Sequence, residues 1–184
     1  MAQRSTEPSP VPGEPATHRT PWPHTRAGDW GILLLRVVFG LFLAGHGAQK
    51  LFGIFGGAGF TATGQYFSSL GFHPGRLYAL IGGLSELLGG LGFALGLLTP
   101  LAAAAMIGVM INAMATVTAA HGLWVTEDGV EYNVCIAAVA LAVAALGPGR
   151  YSLDRFFPWS RGGWLPAAAA LLLGGIGAAI TLLL

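Results

Sequence analysis

The sequence predicts an all-α integral membrane protein, in which a four-helix transmembrane bundle is followed by an additional C-terminal transmembrane helix. Hydrophobic residues make up 54% of the 184 residues and charged residues only 9%, whereas an average soluble domain is roughly 25% charged. A transmembrane helix needs about 20 apolar residues. Apolar runs near this length occur at 31–52, 77–98, 100–120, 130–147 and 164–184, of which the fourth is the shortest. The net charge of +1 gives no reason to expect a nucleic-acid partner.

The segment before the first apolar run has a different composition from the rest of the chain. Residues 1–29 hold six of the eleven prolines, which is typical of a disordered tail, and they lack the apolar core of a signal peptide. We therefore divide the chain into this tail, a four-helix membrane domain at 30–155, and a segment at 156–184 that contains the fifth helix. The segment 151–164 mixes aromatic residues with arginines, as segments that anchor proteins at the membrane interface do.

The basic residues predict the orientation, because cytoplasmic loops carry an excess of Lys and Arg. With the N-terminus in the cytoplasm, only Lys50 and Arg76 lie outside. The inner segments then carry Arg4, Arg19, Arg26, Arg150, Arg155 and Arg161. We therefore predict a cytoplasmic N-terminus and an external C-terminus.

The external loop between the first two apolar runs contains a further helical pattern. Phe60, Phe67 and Leu70 have helical spacing, which predicts a short amphipathic helix lying on the outer surface. Small residues also recur at intervals of four, a pattern that lets helix backbones approach closely. These pairs are Ser85 and Gly89, Gly92 and Gly96, and Ala104 and Gly108. They support a compact bundle.

Seven polar residues lie within or at the ends of the apolar runs. They are Arg36, His46, Lys50, Glu86, Asn112, His121 and Glu131. An ionised group at mid-bilayer costs roughly 2.5–3.5 kcal/mol, so it usually faces the bundle interior beside a partner. At about 1.5 Å per residue, Glu86 lies roughly 13 Å into the second run, near the midplane. Glu86 therefore needs either a proton or a cationic partner, which Arg36 or Lys50 can supply.

The helical angles place Arg36, His46 and Lys50 on one side of the first helix, which predicts a polar cavity among the first four helices. Other interpretations remain open for each residue. Lys50 can extend to the headgroups. His46 and His121 can have a structural role at the interface, and haem ligation by the two histidines is the less favoured alternative. The single cysteine, Cys135, cannot form an internal disulfide and fits a small apolar filler.

Several motifs together resemble the DoxX family. They are R-x-x-x-G from Arg36, H-G-x-x-K-L-F-G from His46, Glu86 followed by Gly89-Gly90, H-G-x-W from His121, DGVEYN at 128–133 and GPGRYSLD at 147–154. The resemblance covers about residues 30–155, and the proline-rich tail and the fifth helix depart from it. It implies a four-helix membrane core in the plasma membrane of a prokaryote. It also implies redox work, since relatives are membrane subunits of thiosulfate:quinone oxidoreductase, join thiol and oxidative-stress complexes, or are linked to quinone detoxification.

Three hypotheses follow. In the first, the protein is a quinone-linked redox subunit, in which Glu86 carries protons and His46 and His121 bind quinone oxygens. Arg36 and Lys50 would hold charge, and substrate binding or charge pairing would extend to Asn112 and Glu131. Because no flavin, iron–sulfur, dithiol or other metal motif is evident, electrons would come from a protein partner. In the second, it is a non-catalytic scaffold for soluble redox enzymes; in the third, a small-solute transporter. A homo-oligomer is compatible with each.

Overall fold

The computed structural model describes residues 25–184, and these residues form helices and connecting turns without a β-strand. The six α-helices are α1 (Arg26–Phe52), α2 (Gly59–Ser69), α3 (Gly75–Leu95), α4 (Thr99–Ala113), α5 (Glu131–Leu146) and α6 (Trp164–Leu183). Helix α4 continues through a π-helical turn at Met114–Thr118 and a 3₁₀ turn at Ala119–His121. The prediction of an all-α membrane protein is confirmed.

Four helices within residues 25–184 have the length and composition to cross a bilayer: α1, α3, α6 and α4 together with its continuation to His121. Helix α5 is apolar but has only 16 residues. These rise about 24 Å, which is less than the roughly 30 Å hydrocarbon core. In a bilayer of this thickness, α5 either ends below one membrane surface or requires the bilayer to be thinner around it.

Helix α1 begins earlier than the sequence predicts. Thr25 is its N-cap, and the Thr25 hydroxyl accepts a hydrogen bond from the backbone N–H of Gly28 at 3.1 Å. Such a cap satisfies one of the backbone donors that a helix start leaves free. Residues 26–29 thus belong to α1, and residues 1–24 of the predicted tail lie outside the described residues.

Helices α1 and α3 are antiparallel and pack backbone to backbone through glycines. A Cβ atom on Gly40 would lie 2.6 Å from the carbonyl oxygen of Gly90, and one on Gly47 would lie 2.5 Å from the backbone nitrogen of Leu87. Neither distance leaves room for a methyl group. Gly83 and Gly90, like Gly40 and Gly47, are seven residues apart, so two turns of each helix meet in a fixed register.

The fifth predicted transmembrane helix, α6, is packed into the bundle against α4 and α5. A Cβ atom on Gly174 would lie 2.7 Å from the carbonyl oxygen of Ala104, and one on Gly108 would lie 3.0 Å from that of Gly174. The spacing of Ala104 and Gly108, read from the sequence as a contact face, is therefore used for α6. The buried apolar core joins α1, α3, α4, α5 and α6, and includes Leu43, Phe93, Met106, Ile136, Val143 and Ala170.

Candidate functional site

A cavity of about 610 Å³ lies between α2, α3, α4 and α6, with Lys50 of α1 at its margin. Pockets that bind small organic molecules have volumes of about 300–1,000 Å³ and are mostly apolar with a few polar groups. The walls fit that description, since most of the lining residues are Leu, Ile, Val, Ala, Gly, Phe or Tyr. The polar side chains include Lys50, Glu86, Asn112, Thr116 and Thr181.

Glu86 and Lys50 form an ion pair at the cavity wall, between Nζ of Lys50 and Oε1 of Glu86. The glycine register of α1 and α3 creates this contact. Lys50 follows Gly47 by three residues, and Glu86 follows Gly83 by three, so each lies on the packed face of its helix. The cationic partner of Glu86 is therefore Lys50 and not Arg36.

The second carboxylate oxygen of Glu86 has a different environment. Glu86 is only 3% exposed, and its Oε2 atom has no hydrogen-bond partner among the described residues. A buried polar atom without a partner costs about 1–3 kcal/mol, more when it is charged, so native structures rarely leave one. Because Glu86 lines the cavity, a ligand there can provide the missing hydrogen bond.

Aromatic residues form one wall of the cavity, on the side where α2 lies. The rings of Tyr66, Phe67, Phe72 and Tyr78 follow one another, with centroid separations of 6.4, 5.6 and 4.9 Å. All four line the cavity. The predicted amphipathic helix is thus present as α2, and its aromatic residues close the bundle cavity. Stacked or edge-on contact with such rings favours a planar apolar ligand.

The wall formed by α4 and α6 carries a second polar group. Asn112 Oδ1 accepts a hydrogen bond from the Thr181 hydroxyl at 2.9 Å, and Asn112 Nδ2 donates to the carbonyl oxygen of Gly108 at 3.1 Å. The π-helical turn follows directly, with the Thr116 hydroxyl donating to the Asn112 carbonyl at 2.8 Å. Single π-helical turns within α-helices occur often at functional sites, and here the turn lines the cavity through Thr116 and Val117.

Arg36 lies in the N-terminal half of α1, does not line the cavity, and is 1% exposed. Its guanidinium donates to four backbone carbonyls. They belong to Phe93 (3.1 Å), Ala94 (3.0 Å), Tyr151 (3.0 Å) and Pro148. Two of these carbonyls are in the last turn of α3, where a positive charge is favourable. Arg36 therefore joins the end of α3 to the loop at 147–152, which is a structural role.

Asp154 completes this end of the bundle and was not among the predicted site residues. Its side chain is fully buried. Oδ1 accepts from the backbone N–H of Leu98 at 2.8 Å, and Oδ2 accepts from that of Thr99 at 2.6 Å. A carboxylate at a helix N-terminus satisfies free donors and complements the helix dipole. The sequence carries no local signal for this contact, because Asp154 is 55 residues away from Thr99 along the chain.

The two histidines do not meet Glu86. His46 is exposed and borders a smaller pocket of about 310 Å³ with Gln49 and Tyr132, and His121 is exposed in its 3₁₀ turn. Arg36 lines neither pocket, and the 14 residues between it and Lys50 correspond to about 21 Å along α1. The predicted grouping of Arg36, His46 and Lys50 on one cavity therefore does not form.

Glu131 also lies apart from the cavity, since its Oε2 atom accepts a hydrogen bond from the backbone N–H of Val125 at 3.0 Å. Asn133, two residues later, was not predicted as polar core; it accepts from the Thr118 hydroxyl at 3.0 Å. Glu131 thus binds the backbone of the loop before α5, and Asn133 links α5 to the turn that continues α4. Within residues 25–184, no three His, Cys, Asp or Glu side chains come together as metal ligands.

Comparison with known proteins gives a family match over the helices that form the ion pair. Residues 31–119 match the DoxX family model, a segment that contains Arg36, Lys50, Glu86 and Asn112. The match ends before His121, so the further motifs at 121–154 lie beyond it. No curated protein and no solved structure matches the chain. The match over residues 31–119 supports membership of this membrane protein in the DoxX family.

Proposed function

We propose that the protein is a redox-associated membrane subunit that binds a quinone in the cavity beside Lys50 and Glu86. One observation carries the proposal: the buried carboxylate of Glu86, which is paired with Lys50 and has one oxygen without a partner among the described residues, borders a largely apolar cavity of about 610 Å³ among membrane helices. A quinone is apolar, planar and soluble in the bilayer, and it has polar atoms only at its ring oxygens. The resemblance to redox-linked members of the DoxX family supports the same assignment.

The two charged groups have complementary roles in this proposal. Reduction of a quinone to a quinol takes up two electrons and two protons. The ammonium group of Lys50 donates a hydrogen bond to a quinone oxygen, and the carboxyl group of Glu86 passes protons to or from the ring oxygens. Lys50 is 33% exposed, so it links the buried carboxylate to water. The roles predicted for His46 and His121 stay predictions, since neither lines this cavity.

The electrons come from a sulfur donor through a protein partner. Two thiol or thiosulfate sulfurs join in one S–S bond and release two electrons, which balances the reduction of one quinone. The partner contains the group that carries these electrons to the cavity. In this proposal, the protein is the quinone-binding component of a complex.

The test measures quinone reduction by the protein purified in mild detergent together with whatever remains bound to it. Thiosulfate or a thiol is the donor, and a soluble quinone analogue is the acceptor. Glu86→Gln removes the carboxylate while keeping the size of the side chain. Glu127→Gln makes the same change at an exposed position and serves as the control. We expect turnover to be lost in the first variant and kept in the second. Undiminished turnover in correctly folded Glu86→Gln protein would rule out the proton role.

A scaffold function is the second candidate, and the segment after α5 favours it. Phe156 is 81% exposed and lies under the guanidinium of Arg155 at 4.5 Å, and Trp164 is 90% exposed. These groups can bind a soluble redox enzyme at the membrane surface. The scaffold account predicts that a partner is released when the N-terminal tail is deleted. Because α1 begins at Arg26, that deletion should end at residue 24.

We further propose that the N-terminus is cytoplasmic and that the membrane is the plasma membrane of a prokaryote. Arg26, Arg150, Arg155 and Arg161 lie at the end of the bundle where α1 begins, and Lys50 lies at the other end of α1. This distribution agrees with the excess of basic residues on the cytoplasmic side. Labelling of single cysteines introduced near residues 56 and 162 by a membrane-impermeant reagent in intact cells tests it. Labelling near residue 56 alone is expected, and the reverse pattern would invert the topology.

A further inference from the structure

We propose that the cavity selects ligands that carry a hydroxyl group, and hence the quinol in preference to the quinone. The inference rests on the proposed function for its ligand class and adds the redox form that the site prefers. Glu86 can distinguish the two forms, because the quinol has hydrogen-bond donors for its free oxygen and the quinone has none.

The cavity presents a free acceptor in its apolar interior. Lys50 forms an ion pair with Oε1 of Glu86, while Oε2 has no partner in the described part of the chain. An ionised carboxylate only accepts hydrogen bonds. The atom that satisfies Oε2 must therefore bear a hydrogen, and a ligand without a donor leaves the cost of its burial in place.

No described residue supplies that hydrogen, although Ser85, Tyr66 and Tyr78 also bring hydroxyl groups to the cavity lining. The Thr181 hydroxyl donates to Asn112 Oδ1 at 2.9 Å, and the Thr116 hydroxyl donates to the Asn112 carbonyl at 2.8 Å. Both hydroxyl hydrogens are thus used on the wall formed by α4 and α6. Water is a poor substitute, because the walls around Glu86 are largely apolar and an ordered water needs two to four polar partners.

A quinol and a quinone differ in this respect. The quinol has two O–H donors, whereas the oxygens of the quinone only accept hydrogen bonds. A hydrogen bond to a charged group changes affinity by about ten- to a hundredfold. We therefore expect the quinol to bind about ten- to a hundredfold more tightly than the matching quinone, with a phenolic O–H directed at Oε2 of Glu86.

The test separates the hydroxyl preference from the quinone chemistry by using two matched pairs of probes. The first pair is para-nonylphenol and its methyl ether, which differ in the donor and are not exchanged by mild redox agents. The second pair is a decyl-substituted benzoquinol and its benzoquinone, measured without oxygen. Binding is measured by calorimetry on the full chain in detergent, with empty micelles subtracted, for the wild type, Glu86→Gln and the exposed control Glu127→Gln.

The expected result is a ten- to hundredfold preference for the phenol over its ether and for the quinol over the quinone. Both preferences should vanish in Glu86→Gln and persist in Glu127→Gln. Equal binding within each pair, or a preference that survives Glu86→Gln, would overturn the inference. The comparison of the two probes of each pair in the wild type tests the preference even if Glu86→Gln does not fold.

The two pairs also distinguish this inference from the proposed function. Discrimination between phenol and ether through Glu86, with no binding of either benzoquinol or benzoquinone, supports the hydroxyl-selective site and overturns the quinone function. Equal, saturable binding of quinol and quinone overturns the redox-form preference and leaves the quinone function supported. Binding of none of the four probes overturns both.

Discussion

The packing register of α1 against α3 brings Lys50 next to Glu86, and a substitution at one glycine of α1 tests this register. In Gly47→Ala, the new Cβ atom would lie 2.5 Å from the backbone nitrogen of Leu87 and 2.7 Å from the carbonyl oxygen of Gly83. Ordinary contact begins at 3.4 Å, so α1 and α3 must separate by most of an ångström. Overpacking of this kind costs about 1–3 kcal/mol.

Gly45→Ala is the matched control, because it makes the same change two residues away on α1. A Cβ atom there meets none of the described residues within 4 Å. Replacing a mid-helix glycine by alanine stabilises a helix by up to about 1 kcal/mol, and both variants receive this gain. The difference between them therefore isolates the contact with α3, at about 1–3 kcal/mol.

Thermal unfolding in detergent, followed by tryptophan fluorescence, measures this difference. A change of 1 kcal/mol shifts the midpoint by about 2–4 °C for a chain of this size. We expect Gly47→Ala to unfold about 2–12 °C below Gly45→Ala. Equal midpoints would show that α1 and α3 do not meet through Gly47, and the placement of Lys50 beside Glu86 would lose its basis.

The remaining predictions concern the two ends of the bundle. Each carboxylate oxygen of Asp154 accepts from one backbone N–H group, and Asp154→Asn turns one of these acceptors into a donor. We expect the free energy of unfolding to fall by about 1.5–3 kcal/mol. An equal loss in the exposed Asp128→Asn would show that the cap is not responsible. Arg36→Lys cannot reach four carbonyls with one ammonium group, and we expect a loss of about 2–4 kcal/mol, whereas an unchanged midpoint would contradict the structural role of Arg36. Thr181→Val removes the hydrogen bond to Asn112 with little change of shape, which should lower stability by about 0.5–1.5 kcal/mol; full stability in the same thermal assay would mean that this link between α4 and α6 is not needed.

Composition and hydrophobic runs were sufficient for the fold class and for five of the six helices, because each run exceeds or approaches the bilayer thickness. Spacing also predicted α2. The start of α1 was missed, since Thr25 and Arg26 are polar and lie in a proline-rich stretch. A cap of this kind is recognised only when the hydroxyl of Thr25 is seen to meet the backbone of Gly28.

The site was predicted in part, and the reason lies in helix register. Depth along a helix follows from residue number, so Glu86 was expected near the midplane and beside a cation. The choice of Lys50 over Arg36 depends on which glycines of α1 meet α3, and many glycine pairs have suitable spacing in a chain with 29 of them. The contribution of Thr181 to the cavity was missed for the same reason, because α6 had no partner assigned in the sequence.

The most direct test of the central claim is to locate the bound quinone. A benzoquinone with a photoreactive azide is irradiated in the presence of the full chain, and the labelled peptides are identified by mass spectrometry. The account predicts labels on Tyr66 and Phe67 of α2 and on the cavity faces of α4 and α6, with competition by unlabelled quinol that is weaker in Glu86→Gln than in the wild type. Labelling concentrated in the pocket of His46 and Tyr132, or unaffected by competitor, would contradict a quinone site beside Lys50 and Glu86.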